Sequence, residues 1–424
     1  MSRRHPSRRA VLAGGLATAA ALATPALAQG AAPRVVVVGG GFGGAGCART
    51  LKQASPGLAV TLVEASATFT ACPFANAVLA GLRPLRAQQF GYDHLRAEGI
   101  AVTIGRAVGV EAKKRVVALA DGTKLPYDRL VLAPGIDLRF EALPGYTPDA
   151  AELMPHAWTS GEQVMTLRAQ LDAMDDGGTV IISAPVNPAR CPPGPYERAS
   201  LIAWYLKQHK PRSKLIVLDS KDTFSMQTLF QDAWAELYPD VIEWVALSEG
   251  GNVVAVKPET RTFVTDFDSY KADVGNVIPP QKAGAIAHAA GVTDRTGWCP
   301  VNPVTFESEL QPRIHVIGDA AIAGAMPKSA FAANEEGKIC AHAIVQLLDG
   351  RKPEEAKLAS TCYSLVAPDY AISISGVYRP NGGQYLEIEG TGVTSPAGAS
   401  RSVRTQEANF ADAWFKTVTQ EAFG

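Results

Sequence analysis

Short, unbroken runs of aliphatic and β-branched residues recur along the chain at Arg34–Val38, Leu58–Val63, Leu130–Ala133, Thr179–Ile182, Lys214–Leu218 and Ile314–Ile317. Apolar runs of this length without a polar alternation predict parallel strands covered on both faces. Between them lie helix-length segments at Ala45–Gln53, about 160–174, 197–208 and Lys328–Leu348. Val116–Leu119 and Lys124–Pro126 flank Asp121-Gly122 and predict a hairpin. From Arg351 the pattern changes to short strands with turns, such as Tyr378–Tyr385, and a closing helix near Gln406–Ala422. The order predicts an α/β protein with two Rossmann-like nucleotide-binding domains and a smaller C-terminal α+β interface domain. The expected boundaries are 31–145 with 264–350 for the first domain, 146–263 for the second and 351–424 for the third.

The turn after the first run carries chemistry. Gly39, Gly41 and Gly44 have the G-x-G-x-x-G spacing between a strand and a helix, with Phe42 inside the turn. The first glycine makes the turn tight and the second admits a pyrophosphate to the backbone. The third lets helix and strand pack closely. Glu64 ends the second strand 20 residues after Gly44, where a carboxylate accepts ribose hydroxyls. Strand, turn, helix, strand and terminal acid together point to a dinucleotide. Leu130–Gly135, with Pro134 and Gly135, and Val316–Asp319, with Gly318 and Asp319, match two further segments of disulfide-reductase-type flavoproteins. They favour FAD over NAD. A helix beginning at Pro327-Lys328 is expected to aim its N-terminus at the flavin, with Lys328 among the cofactor contacts.

The second nucleotide-type strand, Thr179–Ala184, enters no glycine turn. Pro185, Pro188, Pro192, Pro193 and Pro195 follow it, around Cys191. Proline has no N–H to offer a pyrophosphate, so a nicotinamide site is not expected here. Arg190 stands next to Cys191 and favours a thiolate. Glu197 serves either as a proton donor and acceptor or as a favourable acid in the first turn of a helix.

Charge and composition narrow the classes further. Of 424 residues, 47% are apolar and 19% charged, with net charge −1, which argues against nucleic acid as the main partner. Residues 1–30 read as an export signal: Arg3, Arg4, Arg8 and Arg9 precede a short apolar run and Ala26-Leu27-Ala28. Ser7–Leu12 fits a twin-arginine signal, an ordinary secretory signal being the alternative. Either implies a periplasmic protein. No run after residue 30 is long enough to span a bilayer, and no metal site is expected. Six cysteines leave room for one or two specific bridges. By sequence alone Cys72, Cys47 and Cys340 read as buried structural residues, Cys299 is unassigned, and a structural bridge between Cys191 and Cys362 competes with a catalytic one. No cysteine lies in a haem-attachment motif.

Asn187–Ser200, Val274–Gln281, Gly297–Val301, Gly318-Asp319 and Thr361–Ser364 resemble the flavoprotein subunit of flavocytochrome c sulfide dehydrogenase, a branch related to the sulfide:quinone oxidoreductases. The resemblance spans about residues 33–424, with Val186 and Ala189 as mild departures. It implies FAD bound covalently through Cys72 and a redox-active disulfide of Cys191 and Cys362 over the flavin. It also implies Glu197 as the nearby acid or base. Hydrosulfide would be the substrate and a c-type cytochrome subunit the partner in a heterodimer. A sulfide:quinone oxidoreductase, with an exposed apolar C-terminal helix pair, is the main alternative. A non-catalytic flavoprotein partner of a sulfur-oxidation complex is another. Trp414 and Phe415 are candidate docking residues, packing against their own domain being the commoner role for such a pair.

Overall fold

The computed structural model describes residues 32–424. The expected export signal lies outside them. Strands β1 (Arg34–Val38), β2 (Ala59–Glu64), β3 (Ala101–Ile104), β4 (Arg129–Leu132) and a later strand, Ile314–Val316, form one parallel sheet. Its order places β2 and β3 on one side of β1, and β4 and then Ile314–Val316 on the other. The chain therefore reverses direction across the sheet between β1 and β4, and a crevice opens there at the strands' C-terminal ends. Helix α1 (Phe42–Ala54) follows β1 directly.

A second parallel sheet holds β5 (Thr179–Ala184), β6 (Lys214–Asp219), β7 (Ile242–Val245) and β8 (Val274–Val277), in the order β7, β6, β5, β8. Because Val274–Val277 pairs with β5, the chain returns to the first sheet after residue 277 and not at 264. With Ile314–Val316 counted as β9, two antiparallel strands, β10 (Leu358–Ala367) and β11 (Tyr370–Asn381), form a long hairpin. The short strands Gln384–Glu387 and Val393–Thr394 also pair with β11, so the turn expected within Tyr378–Tyr385 is present and only the first two strands are longer than their pattern suggests. Much of β10 is covered, because helices pack on it from both domains.

Four helices matter to the site besides α1. The short α2 (Ala75–Leu79) sits just past Cys72, and α3 (Gly194–His209) follows the proline loop. Helix α3 starts three residues earlier than its apolar pattern suggests, because proline is accepted in a first turn where no N–H partner is needed. Helix α4 (Ala330–Leu348) is capped by Ser329, whose hydroxyl accepts from the Ala332 N–H at 3.1 Å. The C-terminal α5 (Arg401–Phe423) turns Ala411, Phe415, Val418, Ala422 and Phe423 inward. Phe423 packs on Phe42, Phe69 and Phe90, tying the chain's end to the first nucleotide turn. Among the described residues no helix is long and apolar enough to cross a membrane.

Candidate active site

The glycine turn has the close approaches its spacing requires. Gly39 has φ +102°, and a Cβ there would lie 2.2 Å from the Ala133 carbonyl oxygen. A Cβ at Gly44 would lie 1.8 Å from the Gly39 oxygen. Both positions need glycine on steric grounds alone. Glu64 accepts from the Gly40 N–H at 2.6 Å and from the Ser66 N–H at 3.1 Å. It braces the turn as well as facing the crevice.

One cavity of about 390 Å³ runs from this turn to the proline loop. Gly39, Gly41, Phe42, Glu64, Cys72, Pro134, Gly135, Cys191, Glu197, Gly318, Asp319 and Cys362 all line it. Gly44 does not, since its place is the helix–strand contact. Lys328 does not either, which corrects its assignment as a cofactor contact. Its ammonium donates to the Asp319 and Ala321 carbonyls at 2.8 and 2.7 Å and lies 4.2 Å over the Trp298 ring. A buried ammonium needs such acceptors. The first turn of α4, from its Ser329 cap through Phe331, lines the cavity instead.

Asp319 tests whether a flavin nucleotide fits. Its Oδ1 is buried with no hydrogen-bond partner, and burial raises the carboxyl above its ordinary value. An orphan acceptor on a cavity wall calls for a hydroxyl donor, which a ribitol chain supplies. Glycine turn, α1 N-terminus, Glu64 and Asp319 thus suit the pyrophosphate and sugar portions of such a group. Below them, Glu336 of α4 accepts from the Gly318 N–H at 2.6 Å, and burial pushes its carboxyl up to about 8.

That shift has a sign. The folded value lies above the ordinary 4.5, so the Glu336 contribution is complete below pH 4.5 and is lost as pH rises through 8. Glu336→Gln keeps an acceptor for Gly318 and never ionises. Between pH 5 and pH 9 its stability relative to the parent should therefore improve by on the order of 4 kcal/mol in urea unfolding. An unchanged difference across that range would contradict the assignment.

At the other end the three remaining segments converge. The proline loop follows β5 and occupies the crevice between β5 and β8 where the second sheet reverses. Its backbone is pinned at Arg190 and at Cys191. The Arg190 N–H donates to the Gln281 side chain at 2.8 Å, and the Cys191 N–H donates to the Lys328 carbonyl at 2.8 Å. Cys191 has φ +52°, a left-handed conformation that costs a non-glycine residue roughly 1–3 kcal/mol. Burial first, then Glu197, raise the Cys191 thiol well above its ordinary value. Arg190 pulls it down but does not win, which corrects the expectation of a thiolate. Cys362, on β10, is pushed by burial up to about 11. All six cysteines are unbridged in the structure. Cys47 and Cys340 meet inside the packing of α1 and α4 as core residues, and Cys299 is likewise buried.

Glu197 is the acid of this end. Burial pushes its carboxyl up to about 7, with Asn76 opposing. Asn76 of α2 donates to Glu197 Oε1 at 3.0 Å and accepts from Arg198 Nε at 3.0 Å. Arg198 also donates to Asn276 Oδ1 and to the carbonyls of His156 and Ala157. Sequence patterns did not single out Asn76, Arg198 or Asn276. Arg198 lies on the covered side of α3 and Asn276 in a fully covered strand, and such polar residues in apolar runs were the available signal.

The crevice that would take a nicotinamide is filled from within. Tyr196 stacks on Phe224 with centroids 3.6 Å apart. Asp219, the acid that ends β6, accepts from Tyr196, Lys221 and Trp244 at 2.5, 2.6 and 3.0 Å. Trp414 lines the cavity and stacks on Phe331, while Phe415 is buried against Phe74. Neither is an outward docking residue. The C-terminal region, read from sequence as an interface domain, also supplies cavity wall at Thr361–Tyr363.

Two nucleotide-type sheets around a flavin cavity, with cysteines on its far wall, define a flavin-dependent oxidoreductase of the disulfide-reductase type. Family models agree segment by segment. Residues 33–171 match the pyridine nucleotide-disulphide oxidoreductase model, residues 164–279 the central part of the sulfide dehydrogenase [flavocytochrome c] flavoprotein chain, and residues 354–423 the flavocytochrome c sulphide dehydrogenase flavin-binding model. Over the last two of these segments the chain is similar to sulfide dehydrogenase (flavocytochrome c) flavoprotein chains. It is 60% identical over 45 residues to such a chain from Chlorobaculum thiosulfatiphilum, covering 94% of that sequence and 11% of this one. It is also 22% identical over 294 residues to the mitochondrial sulfide:quinone oxidoreductase of Mus musculus, covering 67% of this chain but only 65% of that longer relative. The fold is similar to the sulfide:quinone oxidoreductase of Aquifex aeolicus, with TM-score 0.72, 19% identity and 92% of each chain covered.

Proposed function

We propose that this chain oxidises hydrosulfide at a disulfide formed by Cys191 and Cys362, and passes the electrons through FAD to a c-type cytochrome subunit in the periplasm. The observation that carries this is convergence. The proline loop, β10 and α3 bring Cys191, Cys362 and Glu197 to one end of the cavity whose other end is the nucleotide turn. Tyr196, Phe224 and the spoken-for Asp219 close the competing nicotinamide crevice. The family's name supports the cytochrome partner and the twin-arginine pattern supports the periplasm. The apolar side of α5, turned inward, supports a soluble acceptor over a membrane quinone.

Bound FAD supplies a two-electron acceptor that releases electrons one at a time. The chain does the sulfur chemistry. Hydrosulfide attacks one sulfur of the disulfide, the S–S bond breaks, a cysteine persulfide forms and the other cysteine leaves as a thiolate that holds the electron pair. Glu197, half-ionised near neutral pH, takes the proton released from the attacking sulfur. A second hydrosulfide then attacks the outer sulfur of the persulfide, which breaks the cysteine–sulfur bond and releases a polysulfide, and the freed cysteine pair would re-form its S–S bond as its two electrons pass to the bound flavin. The decisive experiment is anaerobic mixing of the flavin-loaded protein with hydrosulfide or with NADH. Hydrosulfide should bleach the flavin and NADH should not. Bleaching by NADH alone would overturn the assignment.

Cys72 lines the cavity just past β2 and α1's turn, and we propose that it holds FAD covalently through a thioether to the 8α-methyl. Mass spectrometry of denatured, digested protein should find the flavin on the Cys72 peptide. A bare Cys72 peptide from fully flavin-loaded protein would remove the covalent link.

A further inference from the structure

Glu197 stands where three chain segments meet. Asn76 reaches it from α2, four residues past Cys72. Cys191 faces it from the preceding loop, Arg198 from its own helix and Cys362 from β10. The Leu365 amide and the buried Ser364 hydroxyl also stand at this carboxyl as donors.

The orientation of the Asn76 amide follows from chemistry alone. Arg198 can only donate, so the atom facing its Nε at 3.0 Å must be the amide oxygen. The amide NH₂ is then turned to Glu197 Oε1 at 3.0 Å, with the Gly194 carbonyl as a second, weaker acceptor at 3.4 Å. Arg198 cannot swing away, because its remaining donors are held by Asn276, His156 and Ala157. Asn276 is fixed in turn by donating to the Pro155 and His156 carbonyls at 2.6 and 2.9 Å. In a protonated carboxyl the carbonyl oxygen is the better acceptor, so the proton favours the oxygen turned away from the Asn76 amide.

Building on the proposed function, we infer that Asn76 is a positioning residue: locked by Arg198, it reserves Glu197 Oε1 as an acceptor, so that the other carboxyl oxygen carries the exchangeable proton, beside Ser364 and near Cys191 and Cys362. The same amide donates to the ionised form and so holds proton affinity down against burial. The segment after Cys72 and the proton-handling group are thereby one mechanical unit.

The test is an infrared titration of the flavin-loaded protein, following the carboxyl band that Glu197→Gln abolishes. In Asn76→Leu the midpoint should move up by about one unit or more, since a hydrogen bond to a charged group is lost. Asn76→Asp keeps the acceptor for Arg198 and sets a second carboxylate against Glu197. It should move the midpoint in the same direction, and it serves if the leucine variant does not fold. The pH optimum of hydrosulfide-driven bleaching should follow the band. An unchanged band midpoint in the folded variant would overturn the inference. If the band moves but the parent is not bleached by hydrosulfide, the inference stands and the proposed substrate falls.

Discussion

Cys191→Ser is expected to lose hydrosulfide-driven flavin bleaching by ~10³-fold or more, while dithionite reduces the flavin as in the parent. Serine is close in size and keeps the loop's hydrogen bonds, because these run through the backbone: the Cys191 N–H to Lys328 and its carbonyl to the Gly194 N–H at 2.8 Å. The left-handed backbone at this residue is therefore retained, and a fall in rate reports on sulfur and not on loop collapse. Burial disfavours a thiolate at Cys191 and at Cys362. That suits a resting disulfide attacked by an incoming nucleophile better than a standing nucleophile of the protein's own. Cys362→Ser should show the same loss. Hydrosulfide bleaching at parental rates in either variant would remove the disulfide from the scheme.

The second large effect falls on stability. Arg198 is buried and donates to Asn76, Asn276 and the His156 and Ala157 carbonyls, with its guanidinium 5.1 Å above the Trp158 ring. Arg198→Met fills much of the volume but leaves four buried acceptors facing a thioether, and leaves Glu197 without its neighbouring cation. A loss of about 3–5 kcal/mol is expected, read as a lower urea midpoint at unchanged slope. Arg198→Lys should recover little, because one ammonium cannot span the acceptors that a planar fork reaches. A methionine variant within ~0.5 kcal/mol of the parent would show that the network is ornamental.

The parts legible in the sequence are those written in local pattern. Most strands of both parallel sheets follow from their apolar runs, though Ala101–Ile104 and Val274–Val277 did not stand out, and the glycine turn with Glu64 follows from spacing that steric contact at Gly39 and Gly44 enforces. Gly318-Asp319 and the proline loop were equally visible, because each feature is a short stretch. What was not legible depends on contacts between distant segments. Asn76 and Glu197 are 121 positions apart, and Arg198 and Asn276 are 78 apart. No periodicity reports such a meeting. Lys328 was read as the start of the helix aimed at the flavin, but the helix starts at Ala330 and the lysine's own partners are the Asp319 and Ala321 carbonyls. For Trp414 the commoner of its two roles holds, since it packs within its own chain on Phe331 of α4.

The central claim is that sulfur enters at the cysteines opposite the nucleotide turn. Its most direct test is to mix flavin-loaded protein anaerobically with one equivalent of hydrosulfide, quench with an alkylating agent and read the cysteine peptides by mass spectrometry. The account predicts an added sulfur on Cys191 or Cys362 and on no other cysteine. A bleached flavin with both of those peptides free of added sulfur would contradict it.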